Sequence, residues 1–176
     1  MPRDEILYMN LKSPVGDMIA GATEKGVCFL EWHSRGGVDR IKSRIEKRYQ
    51  LPLKEEKNKH LSILEGELQS YFGKKLKTFS VSLDIKGTKF EELIWSKLLG
   101  IPFGTTKSYG QIAELAGNKS ASRAVGRANG SNYISILIPC HRVIEANGNL
   151  RGYGGGLDRK QFLLELESAD FNPLEQ

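Results

Sequence analysis

The sequence predicts an α+β protein: a small N-terminal domain of antiparallel sheet and helices, followed by a mainly helical C-terminal domain with a helix-turn-helix. Three observations lead there. Short β-patterned runs separated by turn residues are confined to the first part, helical periodicity with capping signals dominates the second, and the pattern changes at Lys86-Gly87. The boundary is therefore placed between residues 86 and 87.

ILYMNL (6–11), DMIAGAT (17–23) and GVCFLEW (26–32) read as three strands, separated by the turn signals SPVG and EKG. Helices follow at VDRIKSRIEKRY (38–49) and KHLSILEGELQSYF (59–72), and the alternation in FSVSLDI (79–85) predicts a further strand. The charged faces of these helices read as solvated, so residues 1–86 are assigned no chemistry.

Beyond Gly87 the helix starts carry the signal. Thr88 with Glu91, Ser108 with Gln111 and Asp158 with Gln161 each match the capping-box spacing. Phe90, Leu93, Ile94 and Leu98 keep helical spacing. Ile112, Ala113, Leu115 and Ala116 do so over a shorter stretch that Gly117-Asn118 ends. Ser120 is the expected cap of SASRAVGRAN. On that helix Ala121, Ala124, Val125 and Ala128 make a narrow face of small residues, with Ser122, Arg123, Gly126 and Arg127 on the other side. A short helix, a Gly-Asn turn and a second helix with outward arginines fit a DNA-touching helix-turn-helix; they also fit an ordinary helical hairpin with solvated arginines.

Composition narrows the function classes. With 39% hydrophobic and 27% charged residues among 176, the chain is globular rather than disordered. Its net charge is +5, and residues 97–160 hold nine basic residues against three acidic ones, which favours a polyanionic partner. No apolar run approaches the roughly 20 residues of a membrane span, and MPRDEILYMN lacks a signal-peptide pattern. The expectation is a cytoplasmic protein, or a nuclear one in a eukaryote, with no membrane association. Cys28 and Cys140 stand far apart and read as free thiols.

The chemistry concentrates in ILIPCHRVI, residues 136–144. Buried cysteine is often a small hydrophobe, and the flanking ILI and VI suit that role. A core strand, however, does not readily hold Pro139, and His141 and Arg142 are costly to bury without partners. If His141 takes the proton of Cys140, directly or through a water, a reactive thiolate results, and the imidazolium needs a carboxylate behind it. Glu167 on LDRKQFLLELE is one candidate, and Glu145 is a nearer, more exposed one.

The segment from Pro102 to Glu167, with RAVG, then PCHR, then a Tyr-x-Gly-Gly stretch, closely resembles the O6-alkylguanine-DNA alkyltransferases. The first part, with its SPVG turn, is more loosely similar to that family's N-terminal, ribonuclease H-like α/β domain. The resemblance implies an irreversible, stoichiometric transfer of the alkyl group from O6-alkylguanine in double-stranded DNA to Cys140, with O4-alkylthymine left open as a second substrate. His141 would be the base acting through a water, Glu167 the carboxylate behind it, and Asn132 a brace for the site. Tyr109 would help extrude the nucleotide and hydrogen-bond the departing guanine. Arg123 would fill the vacated stack. Ser122, Ala124, Gly126, Arg127 and Ala128 would line the DNA face in the minor groove. Tyr153 and Gly154 would close over the flipped base, the Val143 carbonyl would read its exocyclic amine, and Phe162 would border the pocket. The implied protein is a monomer without cofactor.

Several positions depart from the family pattern: Tyr133 where proline is frequent, Gly154 where serine or alanine is common, Phe162 where tryptophan often sits, and Arg127 where a smaller residue is usual. They bear on alkyl-size preference and affinity rather than on the nucleophile. Some relatives hold zinc in the N-terminal domain, but Cys28, His33 and His60 lack a paired ligand spacing, and no metal is expected. Two alternatives belong to other classes. A lesion-binding module without transfer carries tryptophan in place of the cysteine, unlike this chain. A cysteine hydrolase would leave the arginine-bearing helix unexplained.

Overall fold

The structure is a computed structural model that describes residues 4–174. The chain divides into two compact units between Lys86 and Gly87.

In the first unit, β1 (Ile6–Ser13), β2 (Gly16–Ala22) and β3 (Val27–Trp32) form an antiparallel meander. The SPVG turn closes because Gly16 adopts φ 124° and the Ser13 hydroxyl donates to its carbonyl at 2.6 Å. A short strand, β4 (Leu53–Glu55), joins the free edge of β1 in parallel, giving the order β3-β2-β1-β4. Helices α1 (Val38–Tyr49) and α2 (Lys59–Phe72) supply Ile41, Ile45, Leu61, Leu64 and Leu68 to a core that also buries Ile19, Phe29 and Trp32. Gly21 lies under the Phe29 ring, where a Cβ would come within 2.1 Å of Cε1.

The strand expected at 79–85 does not form. That segment runs beside β3 with one isolated bridge, Val27 to Leu83. The Glu67 carboxylate accepts from the backbone amides of Ser80 and Val81, at 2.9 Å each, and removes them from any ladder. Strand β4 went unread in the sequence because three residues, LKE, are too few for a period to show.

In the second unit, α3 (Lys89–Leu99) and α4 (Tyr109–Leu115) begin at the capping boxes of Thr88 with Glu91 and Ser108 with Gln111. Helix α5 (Ser122–Gly130) follows α4 across residues 116–121 to complete the helix-turn-helix. Two expected caps fail. Ser120 is no cap, because its hydroxyl donates to Asn118 Oδ1 at 2.7 Å, a local turn that competes with capping, and α5 starts from Ala121 instead. Asp158 is no cap either. The N-cap of α6 (Leu157–Leu166) is Gly156 at φ 94°, so Asp158 falls inside the first turn, where its charge favours the positive helix end.

A two-stranded parallel sheet, β5 (Lys107–Ser108) with β6 (Val143–Ile144), ties the start of α4 to the end of the PCHR segment. Buried Trp95 of α3 donates its indole N–H to the Ala128 carbonyl at 2.8 Å and meets Tyr133 edge-on, which seats α5 against α3. Among the described residues no helix is long and apolar enough to cross a membrane.

Candidate active site

Residues 134–144 are buried throughout, and Cys140–Arg142 form a single 3-10 turn ending at β6. The chain reaches that turn through Ile136, a β-branched residue held at φ 72°, a conformation that costs about 1–3 kcal/mol. Asn132 holds this strained loop from inside. Its Oδ1 accepts the Ile134 N–H at 2.9 Å, and its Nδ2 donates to the Ile138 carbonyl at 2.9 Å and to Cys140 Sγ at 3.1 Å. The thiol therefore sits in a fixed place with a donor aimed at the sulfur, and a donor favours thiolate over thiol.

The two polar residues after Cys140 answer the burial question posed by PCHR. His141, fully buried, shares its Nε2 with Glu167 Oε2 at 2.7 Å. Arg142 donates Nε to Glu167 Oε1 at 2.8 Å, Nη2 to Oε2 at 3.1 Å and Nη1 to the Ile101 carbonyl at 2.7 Å. Glu167 is the residue after α6 and is itself buried. Burial alone would raise its carboxyl pKa, but the hydrogen bonds and charges of His141 and Arg142 outweigh that and hold it well below the usual carboxylate range. Burial lowers the His141 pKa, and the attraction of Glu167 does not cancel it. His141 is thus neutral at neutral pH beside an ionised carboxylate. With the proton on Nε2, its Nδ1, which makes no hydrogen bond within the described residues, is the basic nitrogen. Glu145, the other carboxylate considered, pairs with Arg151 at 3.2 Å instead.

A cavity of about 680 Å³ lies along α5, within the range that encloses a small organic ligand. Tyr109 of α4, Ser122, Arg123, Gly126 and Arg127 of α5, and Tyr153 and Gly154 of the following loop line it, together with Asn129. Arg123 and Arg127 are exposed. Asn129 reaches inward from this wall and donates Nδ2 to the Cys140 carbonyl at 3.3 Å, so one side chain links the cavity wall to the backbone of Cys140, which does not itself line the cavity. Ala124, Ala128, Val143 and Phe162 do not line the cavity; Ala128 and Val143 are buried and Ala124 and Phe162 half-buried.

Lys160 is the residue that sequence reasoning missed most plainly. It is fully buried and donates Nζ to the carbonyls of Val143 at 2.6 Å, Arg151 at 3.0 Å and Gly152 at 3.2 Å. Burial pulls its pKa down to about 8, against the charges of Cys140 and Glu145. Tyr109 donates its hydroxyl to the same Arg151 carbonyl at 2.7 Å. Burial and the neighbouring Cys140 raise the phenol to about 12, so it remains a proton donor at neutral pH. A signal for Lys160 existed: Lys160, Leu163, Leu164 and Glu167 recur at i, i+3, i+4 and i+7, which puts both charges in line with the buried stripe of α6, Glu167 as its C-cap.

The three possible metal ligands of the first unit are engaged separately. Cys28 lies buried in β3, where desolvation pushes its thiol far up. The His33 ring meets Asn10 Oδ1 at 2.9 Å, and the His60 ring meets the Glu24 carbonyl at 2.8 Å. Among the described residues no group of three or more His, Cys, Asp or Glu is placed to hold a metal ion.

Comparison with known proteins bears on both units. A family model described as the DNA-binding domain of 6-O-methylguanine DNA methyltransferase matches residues 89–169. A methylated-DNA–protein-cysteine methyltransferase of Mycobacterium tuberculosis is 54% identical over 103 residues, and the chain spans 62% of that relative's length. The counterpart from Methanosarcina acetivorans is 42% identical over 162 residues, covering 92% of this chain and 98% of the relative. Among solved structures, Mycobacterium tuberculosis OGT in complex with DNA superposes with a TM-score of 0.79 at 39% identity, over 92% of each chain. Identity at this level along nearly the whole length is more than a shared helix pair would produce, and the chain belongs to the methylated-DNA–protein-cysteine methyltransferase family.

Proposed function

We propose that the protein repairs DNA by moving the alkyl group of O6-alkylguanine in a duplex onto Cys140, once per chain. The observation that carries this reading is the placement of Cys140 Sγ, with the Asn132 amide 3.1 Å away and the buried His141–Glu167 pair next in sequence, joined through Asn129 to the wall of a cavity that holds two exposed arginines. The Cys140 proton passes to His141 Nδ1, directly or through a water. The sulfur attacks the saturated carbon on O6, the C–S bond forms as the C–O bond breaks, and guanine leaves with the electron pair. Tyr109, a proton donor at neutral pH, would exchange the Arg151 carbonyl for the departing base and stabilise it.

The reacting carbon lies inside the duplex, so the nucleotide must leave the stack at a cost of about a few kcal/mol. Arg123 is suited to fill the gap, with Ser122, Gly126 and Arg127 beside it against the minor groove and Tyr153 and Gly154 over the extruded base. Ala124 and Ala128 would act by letting α5 sit close. Val143 could read the exocyclic amine only while its carbonyl also serves Lys160. In this reading residues 1–86 form the supporting α/β domain, residues 87–176 act on the DNA, and the protein works as a cytoplasmic monomer. The thioether left on Cys140 carries no S–H for His141 to take again, and its C–S bond is not cleaved, so the thiolate is not regenerated and the transfer is stoichiometric. Incubation with a duplex carrying one radiolabelled O6-methylguanine tests it: label in the protein should plateau at one methyl per chain, whereas continued release of methanol or no uptake would overturn the reading.

A further inference from the structure

Arg142 has no part in the chemistry above, yet it makes more contacts to the catalytic carboxylate than His141 does. Glu167 Oε1 accepts from Arg142 Nε at 2.8 Å and from the Gly104 amide at 3.3 Å, while Oε2 accepts from His141 Nε2 at 2.7 Å and Arg142 Nη2 at 3.1 Å. These donors are directed at the lone-pair sites, roughly four in number, of an ionised carboxylate. A proton on either oxygen would turn that acceptor into a donor, set against an N–H that already faces it. The guanidinium is anchored in turn by the Ile101 carbonyl at 2.7 Å and lies over the Phe103 ring, 5.9 Å from its centroid. Lysine could not span both oxygens in this way.

We propose that Arg142 is a positioning residue for the transfer: by bridging both oxygens of Glu167 it keeps that group an acceptor only, and so fixes His141 with Nε2–H on the carboxylate and Nδ1 toward the nucleophile. The proposal rests on the alkyl-transfer reading for its kinetic consequence, but not for its geometry. The proton taken from Cys140 then stays on the imidazole and does not pass to Glu167. Arg142 also opposes the imidazolium across the shared carboxylate. Its charge and its fork therefore have separable effects: the charge adds to burial and to the Lys160 ammonium, against Glu167, in lowering the pH at which His141 becomes a usable base, and the fork sets how well the ring is aimed.

The test compares wild type, Arg142→Lys and Arg142→Gln in single-turnover transfer across pH. The glutamine variant should lose its rate at higher pH than wild type as acid is added, because the imidazolium is no longer opposed. The lysine variant should keep the wild-type acid limb but run slower at every pH, by roughly tenfold or more, because the imidazole is less well aimed. A purely structural role would lower all rates in parallel without moving the limb, and that result overturns the proposal. If the variants do not fold, the wild-type protein decides alone, without DNA, by ring nitrogen and carboxyl carbon resonances. Protonated Nε2 with bare Nδ1, and a Glu167 signal that does not titrate near the ordinary value of about 4.3, support it. The opposite tautomer or an ordinary titration overturns it. Failure of wild type to take up methyl would sink the alkyl-transfer reading and leave these resonances to judge Arg142.

Discussion

The side-chain amide of Asn132 joins the Cys140 thiol to the strained loop that carries it: Nδ2 lies 3.1 Å from Cys140 Sγ and 2.9 Å from the Ile138 carbonyl, and Oδ1 holds the Ile134 amide. Asn132→Ala takes the acceptor from the buried Ile134 amide and leaves the Ile138 carbonyl with the Cys140 amide at 2.7 Å, and should destabilise the fold by about 1–3 kcal/mol. It also removes the donor to sulfur, so Cys140 should need a higher pH to react with a small thiol reagent. Denaturant unfolding and a pH series of alkylation rates check the two halves. A variant as stable and as reactive as the parent would contradict the brace.

Acid should unfold the protein through Glu167 and His141. Both have folded pKa values held below their unfolded ones, so in acid the unfolded chain binds more protons than the folded one. The stabilisation is complete above the ordinary imidazole value of about 6.5, begins to fall below it, and falls more steeply below the ordinary glutamate value of about 4.3. Thermal midpoints from neutral pH downward should trace this, with a flatter curve for Glu167→Gln. A flat curve for the wild type would contradict the buried pair.

Arg123→Ala tests the filling of the stack. If the guanidinium offsets a few kcal/mol of unstacking, repair of a duplex should slow by about tenfold or more, while reaction with the free base O6-benzylguanine stays within about twofold. Equal losses on both substrates would remove that role.

Arg127, one turn further along α5 and also exposed, is expected to meet a phosphate. Arg127→Ala should weaken duplex binding alike for lesion and undamaged DNA, and reduce the slope of log affinity against log salt by about one. An unchanged slope would place Arg127 off the backbone.

Much of this was legible in the sequence where the controlling interactions are local. The boxes of Thr88 with Glu91 and Ser108 with Gln111 formed as expected, since a cap depends only on residues three apart. Ser120 misled because Asn118, two residues before it, competes for the same hydroxyl, and Asp158 because Gly156 starts the helix earlier. The PCHR segment announced a cost, buried His141 and Arg142, without naming how it is met. Arg142 finds its partners at Ile101 and Glu167, 41 and 25 residues away, and Lys160 finds Val143 at 17, distances at which periodicity carries no information. Asn129 likewise reads as a helix-end residue until the fold brings the Cys140 carbonyl to it.

The most direct test of the central claim is peptide mass after mixing the protein with an equimolar duplex containing one O6-methylguanine. A gain of one methylene per chain on the peptide that contains Cys140, with guanine restored in the DNA, is the expected result. Folded protein that binds the duplex yet gains nothing, or gains the methylene elsewhere, would contradict the assignment of Cys140 as the acceptor.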